Sequence, residues 1–294
     1  MIVVTTPTGQ IGSRLVRRLL DQDREVRVIV RDASRLDDSV RERVETVVGS
    51  HDDPAVLDRA LPGAEALFWL VPPNPQAPSA QAHYVHFARV AAAAVARHGV
   101  GHVVGVSSAG HGWPVPAGVL SAAFAMDAEL SASGAAYRAL SMPFYMENLL
   151  RQLDAIRGQG VFSLTCAGDR PLASIATRDI ADTAAGLLAQ PSWTGQENLP
   201  VFGPDRLTPD DMAEVISQEL GRPVAYRRMG IDDYAALLRS QGAGDQAVKD
   251  LTEAFAAQDH GIYDADWATA EPTPTDFRTW CRDVLKPAAD AHTP

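Results

Sequence analysis

The chain has 294 residues, of which 46% are hydrophobic and 21% charged, and these ordinary values exclude disorder along its whole length. Its 26 basic and 37 acidic residues give a net charge of −11. That balance argues against nucleic-acid binding, which needs a basic surface, and against adhesion to an anionic membrane. Cys166 and Cys281 cannot form a disulfide framework or a cysteine-rich zinc site, so we expect two ordinary thiols that are buried or partly buried.

The N-terminal segment is not expected to act as a secretory signal peptide. Residues 1–5 have no basic segment before the apolar run, so they do not resemble a signal peptide. No apolar run approaches the roughly 18 residues that span a bilayer. We therefore expect a cytoplasmic monomer or homodimer whose partner is a small-molecule substrate, with no direct role for nucleic acid or membrane.

The first half of the chain alternates short strands with amphipathic helices. Two of the predicted strands are apolar at every position, which is typical of a parallel sheet covered on both faces. The order predicts an α/β fold with a doubly wound parallel Rossmann sheet, whose ligands bind beyond the carboxyl ends of the strands. The predicted strands are 2–5, 26–30, 44–48, 66–71 and 103–106, and the predicted helices are 10–21, 54–60 and 83–98.

Beyond residue 133 the pattern is less regular. We assign residues 1–150 to the dinucleotide-binding domain and 151–294 to a smaller, interleaved α/β region that binds substrate or acts as a lid. Residues 230–261 are expected to roof the pocket, with a flexible break at 242–244. The predicted strands in this half are 135–140, 161–165 and 224–228. The predicted helices are 142–157, 179–189, Thr208 to Leu220, and 276–285. Thr177 is the expected cap of the second of these helices, and Gly221 follows the end of the third.

The segment from Thr5 to Gly12 joins the first strand to the first helix. Gly9 allows backbone to approach a pyrophosphate, and Gly12 allows the helix to pack closely on the strand. The helix N-terminus then offers N–H groups and a positive dipole end to phosphates. The position of this loop in a βαβ unit predicts dinucleotide binding.

The chain resembles the NmrA-like branch of the atypical short-chain dehydrogenase/reductases over about residues 1–240. The matching segments are Thr8-Gly9 with Gly12, Val30-Arg31-Asp32, Phe68 to Pro73, Val106 to Gly110, Glu129 to Gly134, Tyr145 to Asn148, Arg178 to Ala181, Gly203 to Asp205 and Leu220 to Arg222. The resemblance implies that the cofactor is bound by Thr6, Thr8, Gly9, Gln10, Ile11, Gly12, Arg31, Val71 and Ser107.

This chain departs from the family at the start of the loop, where Thr6 and Pro7 replace a glycine and an alanine. The glycine position often needs an unusual backbone angle. Pro7 fixes its own φ, restricts Thr6 and offers no N–H to a phosphate. We therefore expect the loop to be built differently, with altered cofactor binding through the donors from Thr8 to Ile11.

The residue after the second strand selects between the two nicotinamide cofactors. An acid near this place holds the ribose 2′-OH of NAD, whereas an arginine accommodates the 2′-phosphate of NADP. Arg31 lies 19 positions after Gly12. We therefore favour NADP(H) over NAD(H), with Arg31 on the phosphate and Arg35 assisting.

The Tyr-x-x-x-Lys pair of typical short-chain reductases is missing, because the only lysines are Lys249 and Lys286. The predicted catalytic residues are therefore others. Ser107 follows the fifth strand and could hydrogen-bond a substrate carbonyl, while His111 is the acid/base candidate in the next loop. The resemblance implies that Tyr145 lies near the nicotinamide. His83 and His86 alone are too weak a pattern to predict a metal site.

Three functions remain open from the sequence. The favoured one is an NADP(H)-dependent oxidoreductase that acts on a small apolar carbonyl, quinone or enone. The alternatives are a redox-sensing, dinucleotide-binding regulator of the NmrA type and a cofactor-independent role on the same fold.

Overall fold

The computed structural model of the chain describes residues 1–291 and contains a central parallel sheet with helices on both faces. The strands are β1 (Ile2–Thr5), β2 (Val26–Val30), β3 (Glu45–Val48), β4 (Ala66–Trp69), β5 (His102–Ser108), β6 (Ala136–Met142), β7 (Phe144–Tyr145), β8 (Val161–Leu164), β9 (Ser174–Ile175), β10 (Gln196–Pro200) and β11 (Ala225–Arg228).

Helices connect most of these strands. They are α1 (Gln10–Asp21), α2 (Asp38–Arg41), α3 (Pro54–Ala60), α4 (Ala80–His98), α5 (Val119–Ser131), α6 (Leu153–Gln159), α7 (Thr177–Ala189), α8 (Pro209–Leu220), α9 (Ile231–Ser240), α10 (Asp245–Asp259), α11 (Asp264–Thr269), α12 (Phe277–Trp280) and α13 (Lys286–Asp290). No helix among residues 1–291 is long and apolar enough to cross a membrane.

The central sheet has the strand order β10-β6-β5-β4-β1-β2-β3. Strand β1 pairs in parallel with β2 on one side and β4 on the other, so Ile2 lies opposite both Val26 and Ala66. The chain order therefore reverses direction across the sheet at β1, which is where doubly wound folds bind ligands. The predicted α/β Rossmann fold is confirmed.

The chain divides into two compact units. The first comprises Met1–Ser108, Val119–Ser141 and Ile180–Leu199, and the second comprises Ala109–Gly118, Met142–Asp179 and the chain from Pro200 onward. The predicted division at residue 150 into a cofactor-binding and a substrate-binding domain stays a prediction, because compactness does not show what either part binds.

Helix α8 confirms the start and stop signals in its sequence. The Thr208 hydroxyl accepts from the Asp211 amide at 3.1 Å while the Asp211 carboxylate accepts from the Thr208 amide at 2.9 Å. This reciprocal capping box satisfies two amides of the first turn. The helix ends at Gly221, whose φ of 66° lies in the left-handed region that glycine reaches without strain.

The predicted helix over 142–157 is wrong in its first half. Strand β6 runs on to Met142, and Pro143 offers no N–H to continue a helix. Phe144 and Tyr145 instead pair with Ser174 and Ile175 as strand β7 against β9. A 3₁₀ segment then covers 146–152, and α-helix begins only at Leu153 in α6.

Sequence reasoning missed helix α5. Its sequence is rich in alanine and apolar residues all round, so it has weak helical periodicity. Leu120, Met126, Asp127 and Leu130 are among its buried residues. Because it packs along α4, it is enclosed on several sides and needs no polar stripe.

Two buried carboxylates hold the second unit together. Glu147 accepts hydrogen bonds from the Thr177 amide at 3.0 Å and the Trp280 indole at 3.2 Å. Asp179 accepts from the amide of Thr275 at 2.9 Å and from its hydroxyl at 2.6 Å. These bonds tie the C-terminal helices to the segment that follows β6. The thiols Cys166 and Cys281 are both free and buried, as predicted.

An aromatic cluster closes the carboxyl end of β3 in the first unit. The His51 ring lies edge-on to Trp69 at 5.0 Å and to Phe87 at 4.9 Å between ring centroids. Burial, with smaller contributions from the charges of Arg31 and His83, lowers the pKa of His51 to about 4. The neutral imidazole is therefore the form that the folded state accepts.

Acid should destabilise the protein through His51. Its pKa is about 4 in the folded state and about 6.5 when unfolded, so the unfolded state takes up the proton first as the pH falls. The stability is present above pH 6.5 and is lost between pH 6.5 and 4. We expect His51→Phe to remove about 2 kcal/mol of the loss in unfolding free energy between pH 7.5 and 5.

Urea denaturation at the two pH values measures this difference. His86→Gln is the control, because His86 is exposed on α4. Equal pH dependence in His51→Phe and the wild type would show that His51 does not cause the acid sensitivity.

Candidate dinucleotide-binding site

The Thr5 hydroxyl fastens the end of β1 to the end of β4. It accepts from the Leu70 amide at 2.9 Å and donates to the Phe68 carbonyl at 3.1 Å. Thr5 is fully buried. The two strand ends that flank the reversal point of the sheet therefore hold one geometry, and the loop after β1 starts from a fixed position.

Thr6 adopts the left-handed backbone conformation, with φ of 50°. This is the angle that a glycine supplies at no cost, and it is uncommon for a β-branched residue. The Gly9 amide then donates to the Thr6 carbonyl at 3.1 Å and closes the turn. The expectation that Thr6-Pro7 would build the loop differently is therefore wrong at Thr6, because the threonine accepts the strained angle.

Gly12 brings helix α1 against the loop. A Cβ added at Gly12 would lie 2.2 Å from the Thr6 carbonyl oxygen, so no larger residue fits without moving backbone. A Cβ at Gly9 would meet only that same oxygen, at 3.4 Å. The two glycines therefore differ in function. Gly12 is needed for packing within the protein, whereas Gly9 keeps open the face on which a ligand would lie.

The N-terminus of α1 is left open to an anion. Gly9 caps the helix without a side-chain hydrogen bond, and the first turn carries no acidic residue. The first helical hydrogen bond, from Ser13 to Gly9, leaves the amides of Gln10, Ile11 and Gly12 ahead of it. These amides and the helix dipole make a site for phosphate.

An arginine-bearing cleft of about 190 Å³ lies beside this loop. Arg35 and Arg17 contribute to it together with loop residues, and Arg17 is hydrogen-bonded to Asp37. The cleft is lined by Pro7, Thr8, Ser13, Arg17, Arg35, Leu36, Asp37 and Val40. The lining carries two arginines against one aspartate, and this positive balance beside a loop of open amides suits an anionic group.

The turn after β2 places Arg35 on that cleft. The Asp32 carboxylate accepts from the amide of Ser34 at 3.0 Å and from its hydroxyl at 2.7 Å. These hydrogen bonds lower the pKa of Asp32. The predicted residue Arg31 is exposed at the end of β2, on the side where its charge reaches His51. The structure thus brings Arg35, and not Arg31, to the cleft.

Val71 and Ser107 lie at the carboxyl ends of two other strands in the same unit, Val71 just after β4 and Ser107 within β5. Val71 comes two residues after β4 and is 5% exposed, and Ser107 lies near the end of β5 and is 7% exposed. They and the loop after β1 share one edge of the sheet, because the carboxyl ends of parallel strands meet there. The predicted cofactor-binding residues of the first unit therefore converge on this edge.

A buried carboxylate behind Ser107 escaped sequence reasoning. The Ser107 hydroxyl donates to Asp127, and the Tyr137 hydroxyl donates to the same carboxylate at 2.6 Å. Burial and the neighbouring Asp127 raise the pKa of Tyr137 well above its usual value, so the phenol stays protonated. The one related feature of the sequence is a glycine at position 105. A Cβ there would lie 2.2 Å from the Tyr137 hydroxyl, so the cluster leaves no room for a side chain at this position.

The predicted residues His111 and Tyr145 belong to the second unit. His111 lies between Gly110 and Gly112, which have left-handed φ values of 98° and 85°. The Gly110 amide donates to the Asp266 carboxylate at 2.7 Å, so helix α11 holds this short loop. Tyr145 is half-buried in β7. Each therefore has a defined backbone position within its own unit.

The two glycines allow a test that separates packing from binding. We expect Gly12→Ala to lower the free energy of unfolding by about 2 kcal/mol, because its methyl group would overlap the Thr6 carbonyl. Gly9→Ala is the matched control. Gly9 has φ of −85° and room for a Cβ, so this variant should keep its melting temperature and lose about tenfold in dinucleotide affinity.

Thermal unfolding and calorimetric titration measure the two effects. A destabilised Gly9→Ala, or a Gly12→Ala variant as stable as the wild type, would contradict the division of roles.

The strain at Thr6 predicts a stabilising substitution. Thr6→Gly removes a left-handed penalty of about 1–2 kcal/mol and adds about 0.5–1 kcal/mol of backbone entropy to the unfolded state. The net expectation is a gain of about 0.5–1 kcal/mol in denaturant unfolding. Asp23→Gly is the control, because Asp23 has φ of 55° but aspartate tolerates this region better. A destabilised Thr6→Gly would mean that its side chain holds the loop.

Comparison with known proteins agrees with this geometry. The profile of the NAD(P)H-binding family matches residues 7–191. A (4-alkanoyl-5-oxo-2,5-dihydrofuran-3-yl)methyl phosphate reductase of Streptomyces griseus is 34% identical over 79% of this chain and 78% of its own. An NAD(P)H azoreductase of Xenophilus azovorans is 29% identical over 87% of this chain and 86% of its own.

A solved structure shares the whole fold. The NADPH-dependent quinone oxidoreductase QOR2 of Escherichia coli, solved with NADPH, superposes with a TM-score of 0.75 over 99% of each chain at 24% identity. The family profile covers the loop from Pro7 onward, the cleft residues and Ser107. The chain belongs to the NAD(P)H-binding family, and the predicted resemblance to a family of dinucleotide-binding reductases is confirmed at that level.

Proposed function

We propose that this protein is an NADP(H)-dependent oxidoreductase that reduces a small apolar carbonyl, quinone or enone. The observation that carries the proposal is the open amide end of α1 beside the arginine cleft. A pyrophosphate needs the first feature and a 2′-phosphate needs the second. Thr8 of the loop lines the cleft together with Arg35, so the two features adjoin and can serve one bound molecule.

The residues present fit the cofactor. The amides from Thr8 to Ile11 would hold the pyrophosphate, with Gly9 allowing close approach of the backbone. Arg35, aided by Arg31, would hold the 2′-phosphate, because a guanidinium matches phosphate geometry. Bound NADPH supplies a hydride, and the protein supplies orientation and electrostatics.

The proton needed in a carbonyl reduction must come from a group other than a Tyr-Lys pair. Tyr137 is unsuited, since its pKa is raised well above the usual value and its hydroxyl donates to Asp127. His111 is our choice, because an imidazole can both donate and accept a proton and the hydrogen bond from the Gly110 amide to Asp266 anchors the loop that carries it. Tyr145 is proposed to line the substrate pocket.

The relatives support the substrate class through what their names share. One reduces an azo compound, one a dihydrofuranone phosphate, and a third is a quinone oxidoreductase of Escherichia coli. Each is named for the reduction of an electron-poor π system. A small conjugated acceptor is therefore the class to screen first.

The regulator of the NmrA type makes a different prediction for the same cofactor site. A sensor binds dinucleotide without turnover, whereas an oxidoreductase consumes NADPH when an acceptor is present. Anaerobic oxidation of NADPH with 1,4-naphthoquinone, an enone and an azo dye, followed at 340 nm, separates the two. Tight binding with no turnover on any acceptor would favour the sensor.

The arginine assignment predicts a selective loss of NADPH affinity. Arg35→Ala should weaken NADPH binding by about tenfold or more and leave NADH binding nearly unchanged, because charge-assisted hydrogen bonds contribute about 1.5–3 kcal/mol. Arg31→Ala should have a smaller selective effect, because Arg31 does not line the cleft. Arg41→Ala is the control, since Arg41 is paired with Asp38 on α2.

Calorimetric titration of the cofactor-free protein with NADPH and NADH gives these affinities. Equal losses for both cofactors would remove the arginine from the 2′-phosphate. No binding of either cofactor to the wild type would overturn the proposed function.

A further inference from the structure

The hydrogen bonds around Asp127 set the direction of the Ser107 proton. A carboxylate only accepts, so both hydroxyls that approach it must donate. Ser107 donates to one oxygen and Tyr137 to the other. Tyr137 stays protonated, because burial first and the Asp127 charge second raise its pKa. The single proton of Ser107 is thus committed to the interior of the first unit.

The three side chains are enclosed and come from three elements. Ser107, Asp127 and Tyr137 are 7%, 5% and 1% exposed and lie on β5, α5 and β6 respectively. Water therefore does not compete for the proton, and hydrogen bonds to a charged acceptor are the strong ones. A hydroxyl that has donated its one proton keeps two acceptor lone pairs. Ser107 can therefore meet a ligand only as an acceptor.

Ser107 lies on the nicotinamide side of the cofactor groove. The sheet order places β2 and β3 on one side of β1 and β4, β5 and β6 on the other. In doubly wound folds each half binds one mononucleotide, and the arginines follow β2 on the adenosine side. The other mononucleotide, which carries the nicotinamide, then faces the ends of β4 and β5.

We propose that Asp127 is a positioning residue that makes Ser107 a hydrogen-bond acceptor for the carboxamide N–H of the nicotinamide ring. The proposal rests on the proposed function and changes the role predicted for Ser107. A substrate carbonyl offers only lone pairs, so Ser107 cannot polarise it while Asp127 holds its proton. The carboxamide presents its NH₂ end to β5, and this fixes its orientation.

The test uses a cofactor analogue that lacks only the donor. In the reduced 3-acetylpyridine analogue of NADPH a methyl group replaces the carboxamide NH₂, and the carbonyl is retained. We expect the wild type to prefer NADPH, and Ser107→Ala to reduce the ratio of the two dissociation constants about fivefold, as one hydrogen bond of about 1 kcal/mol requires.

Two further variants separate positioning from stability. Tyr137→Phe removes one donor but leaves Asp127 to hold Ser107, so it should lower the melting temperature and keep the wild-type ratio. Asp127→Leu combined with Tyr137→Phe replaces the buried polar groups by apolar ones and frees the Ser107 hydroxyl to rotate. The ratio of the two dissociation constants should therefore fall in this double variant as it does in Ser107→Ala, although Ser107 is intact.

The outcomes distinguish this inference from the proposed function. Binding of NADPH with the same ratio in the wild type and Ser107→Ala overturns the acceptor role and leaves the proposed function standing. If the ratio of dissociation constants instead falls in proportion to the melting temperature across the variants, the positioning role of Asp127 is overturned. Failure of the wild type to bind either dinucleotide overturns both proposals.

Discussion

The contact between Gly12 and the Thr6 carbonyl is the constraint on which the cofactor site depends. A Cβ at Gly12 would lie 2.2 Å from that oxygen, so the helix and the loop touch through backbone alone. In this arrangement Thr6 lies in the left-handed region, and the Gly9 amide donates to its carbonyl directly before α1 starts. The open amides, the cleft and the direction of the helix dipole all follow from that start. The strain at Thr6 is therefore a local cost of holding the anion site in place.

At several places in the protein, a side chain satisfies some hydrogen-bonding groups and leaves neighbouring groups available to a ligand. The first-turn amides of α8 are partly satisfied by its own capping box, whereas α1 starts with no side-chain cap. Glu147 accepts from an indole and an amide, and Asp127 accepts from two hydroxyls. Buried carboxylates in this protein thus orient hydrogen-bond donors. In our proposal the Ser107 oxygen, whose proton is held by Asp127, offers a ligand only its lone pairs.

Sequence reasoning predicted the features that depend on local chemistry. The strand–loop–helix pattern placed the glycines of the phosphate loop, and the capping box of α8 was visible in Thr208 and Asp211. It failed where tertiary context decides. Helix α5 has too little amphipathic pattern to be recognised, and the carboxylate behind Ser107 comes from that helix. The reason for a glycine at position 105 becomes clear only in the structure, where a Cβ would overlap the Tyr137 hydroxyl.

Net charge and local charge have opposite signs in this molecule, and the difference explains why an acidic protein suits an anionic cofactor. The chain carries −11 overall, which excludes broad binding of polyanions. Screening confines each charge to about 8 Å at physiological salt, so a bound phosphate responds mainly to its immediate neighbours. Those neighbours are the amide end of α1, Arg35, and Arg17 with its partner Asp37, so the arginines outnumber the carboxylate. The acidic remainder of the surface disfavours other polyanions, so that selectivity for a single dinucleotide comes from the geometry of one loop and one turn.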